Sequence, residues 1–308
     1  MTTTVTESTT LQLQSLIQLR SQARKIELGS HRLALSAQLG GYRSSYRGRG
    51  LEFDEVRPYQ AGDDIRTIGW RVTARRGKVH TKLFREERER PILLLIDLHP
   101  GMYFGSRVQF KSVLAGKLAA VIGWAAIHSG DRVGGVVTAA EGERFVPLAS
   151  RESALLKLLK ASIELQPNRP GTPQYGGMDR AIQQLVQLAH PGSLIFLISD
   201  FQQLSTASDA ALQQLSRHND LIFSFLYDPL EQTPPTTGHY PVTNHLTQWQ
   251  FNSRDKSESE HWKNHFQQHR QKLQQQCRIL QSHWMEIATD APLIEAVQTG
   301  LRPARRSH

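Results

Sequence analysis

Cysteine is almost absent: Cys277 stands alone among 308 residues. This excludes an intramolecular disulfide framework and a zinc site built on several thiolates, and it suits a reducing compartment. Long hydrophobic runs are also lacking. The longest, residues 118–127, falls short of the ~18 residues of a membrane span and reads as a buried helix. The first ten residues are polar and Thr-rich, without the basic start and apolar middle of a secretory signal. No Gly-x-x-x-x-Gly-Lys-Ser/Thr loop is present, so the chain is not expected to hydrolyse ATP itself. The expected location is the cytoplasm.

What is there is a globular mixture. With 39% hydrophobic and 21% charged residues the chain is not wholly disordered, and its length supports a sizeable core without metal or disulfide. The net charge of +9 is uneven: residues 1–90 hold 17 Lys and Arg against 10 Asp and Glu, residues 91–308 hold 20 against 18. Such a basic region attracts nucleic acid or an anionic surface, docks on acidic protein, or pairs with its own carboxylates. Pairing and protein docking rank first, because no nucleic-acid recognition motif accompanies the charge. Peripheral contact with a membrane surface stays open.

Along the chain, residues 1–10 read as a disordered tail and 11–41 as a helical segment closed by Gly40-Gly41. Residues 42–90 read as a small β-rich module, with strands expected over 51–56, 65–73 and 79–84. From residue 91 to 301 strands alternate with helices. ILLLI (92–96), LIFLI (194–198) and 221–227 are continuous apolar runs, as expected of strands buried on both faces. Residues 229–250 read as irregular, 256–280 as a polar helix resting Trp262 and Phe266 on the sheet, and 302–308 as a basic tail. This rhythm predicts an α/β fold with a mostly parallel central sheet covered on both faces. Ligand crevices in such sheets lie outside the carboxyl ends of the strands, where Asp97 and Asp200 stand.

Asp97, Asp200 and Thr172, in the loop before an intervening helix, form an oxygen set of the kind hard divalent cations prefer. The plainer reading is that both acids cap loop amides and helix starts. His99 beside Asp97 offers a general-base pair on paper, but residues two apart in one loop are weak grounds for catalysis.

The block from Gly48 to Trp70, containing Arg57, Tyr59, Gly62, Asp63, Asp64 and Arg66, resembles the signature of the domain of unknown function 58 proteins, with Arg75 and the Phe84–Glu87 run continuing it. Gly69 stands where the family usually has aspartate. The resemblance extends over most of residues 42–301. It implies a Rossmann-like von Willebrand factor A-type domain and a partnership with MoxR-type AAA+ ATPases. Many relatives begin with transmembrane helices; this chain resembles the short soluble branch. The A-type fold often builds a metal-ion-dependent adhesion site from Asp-x-Ser-x-Ser, a threonine and a second aspartate. These positions fall on Asp97, His99, Gly101, Thr172 and Asp200, so both serine hydroxyls are missing. A Mg²⁺ or other divalent site on Asp97, Thr172 and Asp200 would need compensation from Ser106 or Ser199.

Arg57, Arg66 and Arg75 offer forked donors to a partner, or pair locally with Asp63 and Asp64. Trp70, Phe53 and Phe84 are expected in a core. The resulting expectation is a non-enzymatic adaptor for a MoxR-type ATPase in the maturation or assembly of clients, docking through the loops of Asp97, His99, Thr172 and Asp200. A basic-surface binder of nucleic acid and a hydrolase using Asp97, His99 and Asp200 are the rivals.

Overall fold

The computed structural model describes residues 7–28, 51–59, 68–86, 89–167, 171, 175–243 and 247–302. The chain divides into two compact units, residues 40–89 and residues 1–39 with 90–308.

In the larger unit the chain begins with short helices α1 (Leu13–Gln18) and α2 (Arg20–Ala23). The helical segment expected over 11–41 is therefore shorter: residues 24–28 leave the helix, and 29–41 lie outside the described residues. Residues 7–9, expected within a disordered tail, form a helical turn, and the Ser8 carbonyl accepts from the Phe110 amide at 2.9 Å.

In the smaller unit β1 (Leu51–Pro58) pairs antiparallel with β2 (His80–Glu86). The strand expected over 65–73 is corrected. Residues 65–67 lie outside the described residues, Trp70–Arg76 is a helix, α3, and among the described residues of this stretch only Ile68 keeps an extended bridge, to Thr81. Gly77 ends the helix at φ +67°, a left-handed conformation open to a residue without Cβ. Trp70, expected in a core, is 67% exposed on the first turn of α3.

The rest of the larger unit runs β3 (Pro91–Leu98), α4 (Lys111–His128), β4 (Arg132–Ala139), β5 (Gly142–Ala149), α5 (Glu152–Glu164), α6 (Gly177–Leu188), β6 (Leu194–Ser199), α7 (Asp209–His218), β7 (Asp220–Tyr227), α8 (Pro229–Gln232), β8 (His239–Thr243), β9 (Gln248–Asn252), α9 (Lys256–Ile279), β10 (His283–Ala288) and α10 (Leu293–Gly300). Six strands form one sheet in the order β10-β7-β6-β3-β4-β5, parallel except for the edge strand β5. This is the expected fold, a Rossmann-like α/β arrangement with a mostly parallel central sheet.

Strand β3 shows why its sequence is apolar throughout. Ile92, Leu94 and Ile96 enter the core beneath α4, while Leu93 and Leu95 enter the opposite core beneath α6, α7 and α9. Helix α4 is buried almost all round and lacks an amphipathic stripe, because α1, α2, α5 and α10 cover the side turned away from the sheet. The N-terminal segment is thus part of this core. Leu11 packs so closely on Gly116 that a Cβ there would lie 2.4 Å from it, and Trp124 Nε1 donates to the Leu16 carbonyl at 3.0 Å.

Residues 229–250, expected to be irregular, contain α8 and most of an antiparallel hairpin of β8 and β9. Its cover explains the hairpin: Phe251 is buried against Trp262 of α9, with ring centroids 4.6 Å apart. Trp262 therefore covers the hairpin rather than the sheet, and Phe266 packs on Phe225 and Tyr227 as expected.

From β3 the chain moves outward to β4 and β5, then returns to the other side of β3 as β6. The crevice of a doubly wound sheet opens at this reversal, beyond the carboxyl ends of β3 and β6.

Candidate functional site

Asp97 is the penultimate residue of β3 and Asp200 directly follows β6, so the reversal of strand order brings them together. Both are buried, at 1% and 2% exposure. His99 stands between them. Its Nδ1 is 2.9 Å from Asp97 Oδ2, and its Nε2 is 3.4 Å from Asp200 Oδ1. Burial works against a charged ring here, yet Asp97 and Asp200 outweigh it and raise the His99 pKa to about 9. The ring is an imidazolium at neutral pH.

A second cation completes the cluster. Lys111 opens α4, where a positive charge meets the positive end of the helix dipole. Its ammonium is 1% exposed and donates to Asp200 Oδ2 at 2.7 Å and to Glu231 Oε1 at 2.6 Å. Burial disfavours this charge, but the two carboxylates overcome the penalty and raise its pKa. Burial would likewise raise the Asp200 pKa, and Lys111 and His99 instead hold it well below the usual carboxylate range.

The remaining oxygens are also committed. Asp97 accepts from the His99 amide at 3.0 Å and from Ser199 Oγ at 2.6 Å, and Asp200 accepts from the Gln202 amide at 3.0 Å. Of the plainer expectation, the loop amides are satisfied, at His99 and Gln202, whereas neither acid caps a helix start. Phe201, next to Asp200, holds φ +57°, an unfavourable backbone for a bulky residue, and its amide donates to Ser199 Oγ at 2.8 Å. His269 of α9 donates from Nε2 to the Asp200 carbonyl at 2.8 Å.

Gly101 is explained by the same geometry. A Cβ at this position would sit 2.8 Å from His99 Nε2, and the ring is held between two carboxylates and cannot yield.

The structure therefore brings Asp97, His99, Gly101 and Asp200 together as expected. Thr172 lies outside the described residues, as do Gly62, Asp63, Asp64 and Arg66. Arg57 lies on β1, Tyr59 just beyond it, and Arg75 is exposed on α3. Ser199 joins the cluster, whereas Ser106 turns instead to Asp228. Lys111, Glu231 and His269 were not foreseen. Lys111 left a signal: a lone cation opening an apolar helix breaks the dipole preference and needs a buried counter-ion.

Single donor atoms of Asp97, His99 and Asp200 lie within 4.8 Å of one another, compact enough to surround an ion. The donor set nonetheless does not fit a hard divalent cation. Both serine hydroxyls are replaced, both ring nitrogens of His99 face carboxylates, and an ammonium already occupies Asp200.

Over residues 55–276 the sequence matches the family described as protein of unknown function DUF58. The chain belongs to this family. It is 30% identical over 154 residues to an uncharacterised protein of Mycobacterium tuberculosis (strain ATCC 25618 / H37Rv), and equally to one of Mycobacterium bovis, covering 50% of this chain and 48% of each relative. The chain thus spans about half the length of these curated relatives. Among solved structures it is similar to the conserved hypothetical protein BatB from Bacteroides thetaiotaomicron, at 12% identity and TM-score 0.43, covering 69% of this chain and 97% of that one. It is also similar to a von Willebrand factor type A protein from Catenulispora acidiphila, at 14% identity and TM-score 0.39, covering 72% and 45%. Among the described residues no helix is long and apolar enough to cross a membrane.

Proposed function

We propose that this DUF58 protein is a non-enzymatic docking module of the cytoplasm, an adaptor for a MoxR-type AAA+ ATPase in the maturation or assembly of client proteins. One observation carries the docking reading. The chemically capable groups at the strand ends are sealed and paired with one another, while the loops around them carry exposed apolar side chains. His99 and Lys111 are 6% and 1% exposed, against 37% for Phe104, 54% for Val108 and 76% for Tyr175. A general base needs a free ring nitrogen within reach of substrate; His99 has both nitrogens on carboxylates and is already protonated. Exposed aromatic and aliphatic side chains on loops are the usual material of a protein contact.

The choice of partner rests on the family resemblance, and in this reading the ATPase supplies nucleotide hydrolysis. A basic surface for nucleic acid has less support. Two described basic residues of this region serve internal contacts instead, Arg20 with Glu152 and Arg90 with Asp220.

The test is binding of the purified chain to the purified MoxR-type ATPase of the same genome, with ATP and with ADP. Phe104→Ser combined with Tyr175→Ser is expected to weaken binding about tenfold, roughly 1.4 kcal/mol, at unchanged melting temperature. These exposed positions serve better than Asp97→Ala or Asp200→Ala, which strand buried cations and disturb the fold. Wild-type protein that does not bind the ATPase removes the partner assignment. Binding indifferent to both substitutions removes the face.

A further inference from the structure

We infer that the strand-end site works without a divalent cation: the His99 ring and the Lys111 ammonium occupy the place, and supply the charge, that a bound ion has in the adhesion site of this fold. The argument is geometric. The ring lies between the two carboxylates that would flank an ion, at 2.9 Å from Asp97 and 3.4 Å from Asp200. The far oxygen of Asp200 is held at 2.7 Å by an ammonium that is itself buried and anchored to Glu231 on its other side. Ser199, the hydroxyl nearest to replacing a lost ligand, spends its proton on Asp97 and its lone pair on the Phe201 amide.

The two departures from Asp-x-Ser-x-Ser are one coupled replacement. A serine at 101 would bring its Cβ to 2.8 Å from His99 Nε2, so the ring and the second ligand hydroxyl cannot coexist. The ring therefore needs the glycine.

The strongest competitor is a softer ion held by His99 Nε2 and Asp200 Oδ1, with Asp97 orienting the ring through Nδ1 as metal-bound histidines are commonly oriented. Such an ion would face the Lys111 ammonium across a single carboxylate, and that ammonium has no solvent to withdraw into. A metal-free site has a consequence for recognition: no open coordination position exists to capture a partner's carboxylate, so contact falls to the surrounding loop surface. The inference stands apart from the docking reading, since metal content and partner binding are separate measurements.

The experiment is equilibrium dialysis of the full chain against Mg²⁺, Mn²⁺ and Zn²⁺ singly, with metal counted by mass spectrometry and melting followed with each ion and with a chelator. Wild type and His99→Gln are expected to retain equal, substoichiometric metal, and wild-type melting to ignore ion and chelator alike. One equivalent of any of these ions on wild type, lost in His99→Gln, overturns the inference. The double variant His99→Ser, Gly101→Ser restores both hydroxyls and removes the ring. Combined with Lys111→Met, which frees the second oxygen of Asp200, it is expected to gain one equivalent of Mn²⁺, and a folded triple variant without that gain overturns the coupling. If it does not fold, the wild-type comparison decides.

Discussion

Asp200 and Asp228 close neighbouring strands of one sheet, both buried, and their charges are balanced in opposite ways. Asp200 faces two cations. Asp228 accepts from neutral donors alone: the Ser106 and Leu230 amides at 2.9 Å, and the hydroxyls of Ser106 and Thr289. Burial would raise the pKa of each acid, and each is held below the usual carboxylate range. Lys111 and His99 achieve this for Asp200; hydrogen bonds from Ser106 and Thr289 achieve it for Asp228. Glu231 joins the two clusters, with Oε1 on Lys111 at 2.6 Å and Oε2 on the Asp228 amide at 2.8 Å. Neutral donors spread the stabilisation over four bonds, whereas the ionic solution concentrates it in two side chains. Each replacement of a cation should therefore cost more than any replacement of a donor.

The largest effect is expected for Lys111→Met. The substitution keeps the apolar stem and leaves Asp200 and Glu231 facing each other without their shared cation. Removing one partner of a buried ion pair costs about 3–5 kcal/mol, readable as a lowered urea midpoint at unchanged slope. A loss under 1 kcal/mol would show that water or a rearranged His99 takes over, and the contrast with Asp228 would collapse.

Next comes the pH response, where the clusters should differ in sign. His99 has a folded pKa of about 9 against an unfolded 6.5. Its contribution is complete below pH 6.5 and is lost as pH rises through 9, amounting to about 3 kcal/mol at most. Asp228 is lowered in the fold, so its contribution is complete above 3.8 and is lost as pH falls. Melting temperature followed from pH 6 to 10 should decline in wild type and flatten in His99→Gln. Parallel curves for the two proteins would show that the ring is not the ionised partner of Asp97 and Asp200.

How much of this contrast was legible in the sequence depends on how local each feature is. Asp97 and Asp200 were readable because an acid closing a continuous apolar strand marks the carboxyl end of a parallel sheet. His99 and Gly101 were readable as departures from a pattern, but their mutual fit was not, since it depends on a distance across a loop. Lys111 and Glu231 are 120 residues apart, and pairing at that separation leaves no periodic trace. Helix α3 was misread as strand because Ile65, Ile68, Trp70 and Val72 look β-forming while Gly69 and Gly77 bound a single short helical stretch. The hairpin of β8 and β9 was missed because its strands are short, mostly exposed and set in a Pro- and Thr-rich stretch, and are covered by a distant helix, through Phe251 on Trp262.

The smallest predicted effect is also the most direct measure of the neutral cluster. Thr289→Val keeps the side-chain shape and removes the one hydroxyl that Asp228 receives from the segment after β10. Asp228 retains the two amides and the Ser106 hydroxyl, so its charge stays solvated by dipoles and no buried ion is stranded. A single hydrogen bond to a charged group is worth about 1.5–3 kcal/mol, and the lower end is expected because three donors remain. The loss should shrink under acid conditions, where protonated Asp228 needs its donors less, and should stay constant from pH 6 to 10. If Thr289→Val instead cost as much as Lys111→Met, spreading donors around a buried acid would protect it no better than a single cation does, and the difference between the two clusters would lie in chemistry alone.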